Sequence, residues 1–246
     1  MRAILTYHSV DPSGSPISVD PAAFAGHVAT LARGPLRVVP LDELPALPDE
    51  DDAVALTFDD GFASFAAEAW PRLRDHGLPA TLFVVTGRAG ADNRWGGRAE
   101  RGIPVLRLLG WEELGRLASE GLELGLHGRT HAALAGLGAA ALADEVGGAR
   151  VELERRCGVR ARSFAYPYGR FDDPAVGAVR GAVERAVTTE LRPLGAAEDP
   201  CLLPRIDAYY LRRPDGLEGW GRPAFRRRLA WIATRRRLRA IFTAWR

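Results

Sequence analysis

The sequence predicts an α/β fold built on a parallel sheet, and three observations carry that expectation. Short apolar runs alternate with stretches of helical period, the pattern of successive βα units. The chemically distinctive residues stand directly after apolar runs, at the rim where a parallel barrel presents its chemistry. The chain has 246 residues, 47% of them hydrophobic, enough for a sizeable core in one α/β domain. No internal repeat is visible.

The first apolar run opens near Ala3 and ends in Tyr7-His8-Ser9. A helical pattern follows over Pro21–Arg33, with His27 inside it, and a second apolar run begins at Arg37. Ala53–Phe58 is apolar apart from Thr57, as in a strand buried on both faces. Residues 62–76 again show helical period, and His76 precedes the helix-ending Gly77. A run from Ala80 leads into residues 87–104, which hold five glycines, four arginines and Trp95 without periodicity. A loop of that length in a compact domain is usually functional or mobile. Beyond it the pattern predicts a helix over Trp111–Ser119, a strand over residues 122–126 and a helix over residues 138–157. A strand from Ser163, a helix over residues 173–183 and a strand from Arg185 complete the alternation.

Two adjacent carboxylates, Asp59 and Asp60, close the Ala53–Phe58 run, and His127 and His131 follow residues 122–126. The chain has only five histidines, so two of them four residues apart after a strand are notable. One carboxylate and two imidazoles form a ligand set for a borderline divalent metal with open coordination positions. The second carboxylate is left over as a general base. The plainer alternative is a turn at Asp-Asp-Gly and unrelated polar histidines.

These residues resemble the motifs of the polysaccharide deacetylases, the NodB-homology domain of carbohydrate esterase family 4. The first motif stands as Thr57-Phe58-Asp59-Asp60-Gly61, the second as His127-Gly128-Arg129-Thr130-His131, and the third as Phe164-Ala165-Tyr166-Pro167-Tyr168-Gly169. Their order and spacing match, and the resemblance covers residues 1–210. It implies an irregular (β/α)7-type barrel and a hydrolase that removes an N-acetyl group from a sugar, releasing acetate. It implies that Asp59 is the general base, that Asp60, His127 and His131 hold one divalent ion, and that the Tyr168 N–H helps hold the oxyanion. Zn2+ is the first expectation for that ion, with Co2+, Ni2+ or Mn2+ as alternatives. Tyr166, Pro167, Trp95 and Arg205 are the expected substrate contacts, with Trp95 stacking on a sugar face.

The departures from the family concern the leaving group. An amine leaves only when protonated, and many members use the histidine of a Leu-x-x-His motif. The comparable segment here is Leu202-Leu203-Pro204-Arg205-Ile206-Asp207, and no histidine follows His131. Ala165 stands where the family often has an arginine, and the usual aspartate and tryptophan pair is not recognisable around residues 186–190. His8, on the first strand, is the replacement acid that the resemblance offers. His27 and His76 are read as structural. An O-acetyl esterase, a hydrolase of a non-sugar amide and an inactive glycan-binding module stay open beside the N-deacetylase.

All 33 basic residues are arginine, against 31 acidic ones. Residues 222–246 hold nine of those arginines and no acidic group, which leaves residues 1–221 at −7. Phe225, Leu229, Ile232, Leu238, Ile241, Phe242 and Trp245 recur there at roughly helical spacing. The expected division is a catalytic domain over residues 1–215 and a basic amphipathic tail over 216–246. The tail reads as a helix for an anionic membrane surface or for docking on the acidic domain. Nucleic acid is the weaker partner, because no stacking platform accompanies the charge. Cys157 and Cys201 are too few for a disulfide framework, and neither a signal peptide nor a membrane-length apolar run is visible. The expected place is the cytoplasm, with membrane association through the tail.

Overall fold

The computed structural model describes the backbone of residues 1–244 and the side chains of residues 1–236. Its strands are β1 (Arg2–Tyr7), β2 (Ser9–Val10), β3 (Ser18–Val19), β4 (Arg37–Val38), β5 (Ala53–Phe58), β6 (Thr81–Val84), β7 (Glu123–Leu126), β8 (Ser163–Ala165), β9 (Arg185–Val187) and β10 (Arg205–Asp207). The helices are α1 (Pro21–Arg33), α2 (Trp70–Asp75), α3 (Trp111–Ser119), α4 (Ala139–Leu142), α5 (Ala149–Cys157), α6 (Asp173–Ala182) and α7 (Pro223–Ala244).

Seven strands run in the order β10-β1-β5-β6-β7-β8-β9, all parallel, with β4 added beside β5. The two ends of this path approach each other. The Leu203 N–H donates to the Ala186 carbonyl at 2.9 Å, and the Thr188 N–H donates to the Leu203 carbonyl at 2.8 Å. The sheet is thereby a nearly closed barrel wrapped by helices.

Alternation along each strand sorts residues into two cores. Ala3, Leu5 and Tyr7 of β1 and Val54, Leu56 and Phe58 of β5 face the helices. Ile4, Ala53 and Ala55 face inward, with Ala165, Val187 and Phe83. The interior is narrow. A Cβ on Gly125 would lie 2.6 Å from the Phe83 ring, so glycine at this place in β7 is what lets Phe83 fill the barrel.

The expected helices over Pro21–Arg33 and Trp111–Ser119 form with those bounds. Residues 62–76 differ, because a π turn over Phe65–Ala69 precedes α2. Pro71 has no N–H to give an α-helical bond, so the chain enters α2 through a wider turn. A second π turn, Ala143–Gly148, joins α4 to α5. The strand β10 had no apolar run to announce it, being three residues with arginine and aspartate at its ends. The loop over residues 87–104 is tied down. The Asn93 side chain accepts from the Leu106 N–H and donates to the Pro104 carbonyl, at 2.8 and 3.0 Å.

The chain beyond residue 215 starts out docked on the barrel. Leu217, Trp220, Phe225 and Leu229 are buried in the main core, and the Trp220 indole donates to the Met1 carbonyl at 2.9 Å. Ile232 packs against that core, so this part of the apolar stripe is turned from solvent. The exposed face carries arginines and Trp231. The side chains of Leu238, Ile241, Phe242 and Trp245 lie outside the described residues. Among the described residues, no helix is long and apolar enough to cross a membrane.

The close approach at Gly125 gives a stability prediction. Gly125→Ala should cost about 1–3 kcal/mol through overpacking against Phe83, read as a lower midpoint of urea unfolding. An unchanged midpoint would mean that Phe83 has another place to go.

Candidate active site

The residues singled out by sequence arrive at one pocket from four strand ends. Asp59 and Asp60 follow β5, His127 and His131 follow β7, Tyr166 and Tyr168 follow β8, and His8 follows β1. Trp95 of the 87–104 loop completes the wall, its ring 4.3 Å from and nearly parallel to that of His131.

Backbone strain is concentrated here. Asp60 at φ 72°, His131 at φ 68° and Tyr168 at φ 58° are left-handed, and they are the non-glycine residues with positive φ among those described. Such conformations persist where the surroundings impose them, and they gather at active sites.

The Nε2 atoms of His127 and His131 lie 3.4 and 3.2 Å from Asp60 Oδ1. The three residues are buried and form the one cluster of three such donors among the described residues, with ligand atoms within 4.8 Å of one another. His127 Nδ1 donates to the Ala165 carbonyl at 2.7 Å, which leaves Nε2 to face the cluster as an acceptor. Asp60 Oδ1 is buried without a hydrogen-bond partner, an arrangement that a cation between the three groups would satisfy. This donor set fits a divalent ion. Burial alone would raise the Asp60 pKa, but the two imidazoles reverse that and hold it well below the usual carboxylate range. Burial disfavours a charged His127, yet Asp60 and Asp59 outweigh it and raise that pKa. At His131 burial prevails and the pKa falls.

Asp59 has a different neighbour. Its Oδ1 and Oδ2 accept two bonds from Arg205 Nη1 and Nη2, each at 2.7 Å, and the pair is buried. Burial pushes the Asp59 pKa up, but the guanidinium, followed by His127, brings it below its ordinary value. Arg205 Nη1 also donates to Thr6 Oγ1 at 2.9 Å, and Nε donates to the Thr188 carbonyl at 2.9 Å. His8 Nε2 lies 3.8 Å from Asp59 Oδ2, and the ring is partly exposed to the pocket.

Arg205 therefore differs from the expected substrate contact. It is 1% exposed and stands behind Asp59, with its guanidinium above the Phe83 ring. A clue was present in the sequence: the family's arginine is missing at Ala165, and one arginine interrupts the apolar 202–206 segment. A buried guanidinium requires an acid. Pro167 is also buried, in the turn that shapes Tyr168, and does not line the pocket, whereas Tyr166, Tyr168 and Trp95 do.

Glu145 escaped the sequence reading. The π turn brings its carboxylate under the loop between the two histidines, where it accepts from the Arg129 and Thr130 N–H groups at 2.9 and 3.0 Å. It also accepts from the Thr130 hydroxyl at 2.6 Å. Glu145 is 94% buried by these contacts, since only 6% of it is exposed. His27 is structural as expected, buried between the Tyr7 hydroxyl and the carbonyls of Leu211 and Arg213. His76 sits exposed at the end of α2.

A family model described as polysaccharide deacetylase matches residues 46–183. Bacillus subtilis YxkH, named as a candidate polysaccharide deacetylase, is 24% identical over 202 residues, covering 80% of this chain and 66% of that protein. Streptomyces coelicolor SCO4760, named as uncharacterized, is 31% identical over 171 residues, covering 68% of this chain and 57% of that protein. The chain thus spans less than two thirds of the length of these curated relatives. The fold is similar to that of the Streptococcus pyogenes deacetylase PplD in complex with acetate, with a TM-score of 0.73 at 22% identity over 90% of this chain and 98% of that one. It is also similar to IcaB from Ammonifex degensii, with a TM-score of 0.67 at 23% identity over 84% and 93% of the two chains. The family's model spans more than half of the sequence, and its motif residues converge on one pocket: the chain belongs to the polysaccharide deacetylase family.

Proposed function

We propose that the chain is a metal-dependent N-deacetylase of an acetylated saccharide, releasing acetate and leaving a free amine. The observation that carries this reading is the separation of two adjacent carboxylates. Asp60 faces two imidazoles, while Asp59 is turned away and held by Arg205. The fold shared with PplD, which is named as a deacetylase, supports the deacetylase part of the reading.

Asp60, His127 and His131 would hold the ion. When bound, such an ion polarises the acyl carbonyl and acidifies water at the site. Asp59, ionised beside Arg205, accepts the proton of the attacking water as the new C–O bond forms. The guanidinium fixes both carboxylate oxygens, so orientation is gained at some cost in basicity. The Tyr168 N–H donates to the developing oxyanion, a role typically worth about 3 kcal/mol. As the C–N bond breaks, His8 supplies the proton that lets the amine leave. An O-acetyl ester is the second reading, favoured by the absence of a histidine after His131, because an alkoxide leaves more readily than an amine.

Three outcomes follow from these roles. His131→Ala should abolish stoichiometric binding of zinc, and chelation should abolish acetate release. Glu145→Gln should weaken the zinc Kd by roughly 10–100-fold, as loss of a group behind metal ligands commonly does, measured by chelator competition. Unchanged affinity in both variants would remove the metal reading.

Asp59→Asn should keep zinc yet lose most turnover, because an amide does not accept the proton. Loss of zinc in Asp59→Asn with retention in Asp60→Asn would reverse the two roles.

His8→Ala should depress hydrolysis of the amide by at least about 100-fold, within the range of general acid catalysis. Hydrolysis of an activated acetyl ester, whose leaving group needs no proton, should fall far less. Equal losses on both substrates would leave His8 with a positioning role toward Asp59.

A further inference from the structure

The C-terminal helix α7 carries a surface that the catalytic reading leaves unused. Just before the helix, the Trp220 indole donates to the Met1 carbonyl at the foot of the barrel. At the other rim, Arg236 Nη1 donates to the carbonyl of Thr189, which follows β9 and lines the candidate pocket. The helix therefore climbs the outside of the barrel to the rim that carries the site. Phe225 and Leu229 are buried and Ile232 packs with them, so one side of α7 is taken up by the barrel. On the other side Arg227, Trp231, Thr234 and Arg235 are exposed, and Trp231 is 59% accessible. The Arg235 guanidinium lies 4.6 Å from the centre of the Trp231 ring. Most arginines of residues 1–221 meet a carboxylate, as Arg37 meets Asp51, Arg116 meets Glu120 and Arg180 meets Asp199. Among the described residues, Arg222, Arg226, Arg227, Arg228, Arg235 and Arg236 form no ion pair. Arg226 and Arg228 donate instead to the backbone carbonyls of Gly221 and Tyr210.

We propose that this outer face of α7 docks on a bilayer that contains anionic phospholipid. Charge complementarity selects the occupant: a row of guanidinium groups without carboxylates calls for anions from outside the chain. Trp231 adds what a purely electrostatic partner does not use. An indole settles at the level of lipid headgroups, and arginine stems lie along apolar surface while their heads reach phosphate. The helix runs on to Ala244, and Leu238 and Phe242 stand in sequence at the i+7 and i+11 positions from Trp231. Large apolar residues and arginine thus share one helical register, as in helices that lie in a membrane interface. Nucleic acid is matched less well. Single strands are held by several aromatic rings along a basic groove, whereas the described part of this face offers one indole, and Arg235 covers it. The −7 charge of residues 1–221 also repels a long polyanion that would follow the surface beyond α7. A bilayer on this face lies beside the rim of the pocket, so docking concentrates the site at the membrane without using any of its residues.

The test is co-sedimentation of the full chain with vesicles of phosphatidylcholine alone, and of phosphatidylcholine and phosphatidylglycerol in equal parts. The protein should pellet with the mixed vesicles at about 0.1 M salt and be largely released at about 1 M, where the screening length falls to roughly 3 Å. It should ignore phosphatidylcholine alone. Each arginine near an anionic surface is worth about fivefold in partitioning, so Arg227→Gln with Arg235→Gln should weaken binding about 25-fold. Trp231→Ser should weaken it by at least about fivefold through lost apolar burial. Arg33→Gln with Arg155→Gln makes the same change in net charge on the exposed surfaces of α1 and α5, and should bind as wild type does. Thermal melting verifies that each variant is folded; all five substituted side chains are exposed. Equal losses in the two double variants, or wild-type protein that ignores the mixed vesicles, overturns the docking surface. Tighter binding to a single-stranded DNA oligomer than to the vesicles, lost in the same α7 variants, overturns it in favour of nucleic acid. The readout is independent of acetate release, so failure of this proposal leaves the deacetylase reading standing.

Discussion

The ion pair between Asp59 and Arg205 is the constraint around which the mouth of the barrel is arranged. Both groups are almost fully buried, and neither tolerates burial alone. Removing one partner of such a pair typically costs about 3–5 kcal/mol, because an uncompensated charge is left behind. The two residues come from opposite parts of the chain, Asp59 from the end of β5 and Arg205 from β10, with β1 between them. Thr6 of β1 binds the same guanidinium at 2.9 Å. Three strands are thus fixed in register by one planar cation. Below it lies the inner apolar cluster that includes Ile4, Ala55, Ala165 and Val187, and the Phe83 ring lies beneath the guanidinium.

The second carboxylate gains its independence from that arrangement. Asp59 and Asp60 are neighbours in sequence, yet Asp60 adopts φ 72° and its side chain turns to the histidines. Adjacent carboxylates in one environment would share a proton or repel each other. Here a cation answers one and two imidazoles answer the other. The left-handed turns at Asp60, His131 and Tyr168 are paid for by the groups that surround them. At His131 that support is visible, since Glu145 ties down the Arg129 and Thr130 N–H groups just before it.

Much of this was legible in the sequence, for reasons that also explain what was not. Ala53–Phe58 is apolar but for Thr57, residues 122–126 alternate leucine with Glu123 and Gly125, and the ends of both carry the unusual residues. Apolar period and motif chemistry therefore located Asp59, Asp60, His127 and His131 together. The strand β10 was invisible because only Ile206 of its three residues is apolar. The role of Arg205 was lost with it, since a buried guanidinium looks in sequence like any surface arginine. Glu145 was hidden in the same way: a glutamate in a helical stretch points to solvent unless a π turn changes its phase. The tail read as an amphipathic helix, and Phe225 and Leu229 do face one way, but periodicity does not tell a helix whether its apolar side meets lipid or protein.

The place of Arg205 on β10 makes the site depend on how the sheet closes. Arg205 arrives with β10, the strand at one end of the sheet path. Until β10 lies beside β1, Asp59 is a carboxylate with water as its only substitute for a partner, and the barrel interior cannot be dehydrated around it at low cost. Closure of the sheet and fixing of the proposed base are then one event. The same closing region carries Thr188, whose carbonyl accepts from Arg205 Nε, and Thr189, whose carbonyl accepts from Arg236 of α7. Through these two adjacent carbonyls the C-terminal helix and the buried ion pair bear on a single strand end. The candidate pocket is completed from the part of the chain that lies beyond its motifs.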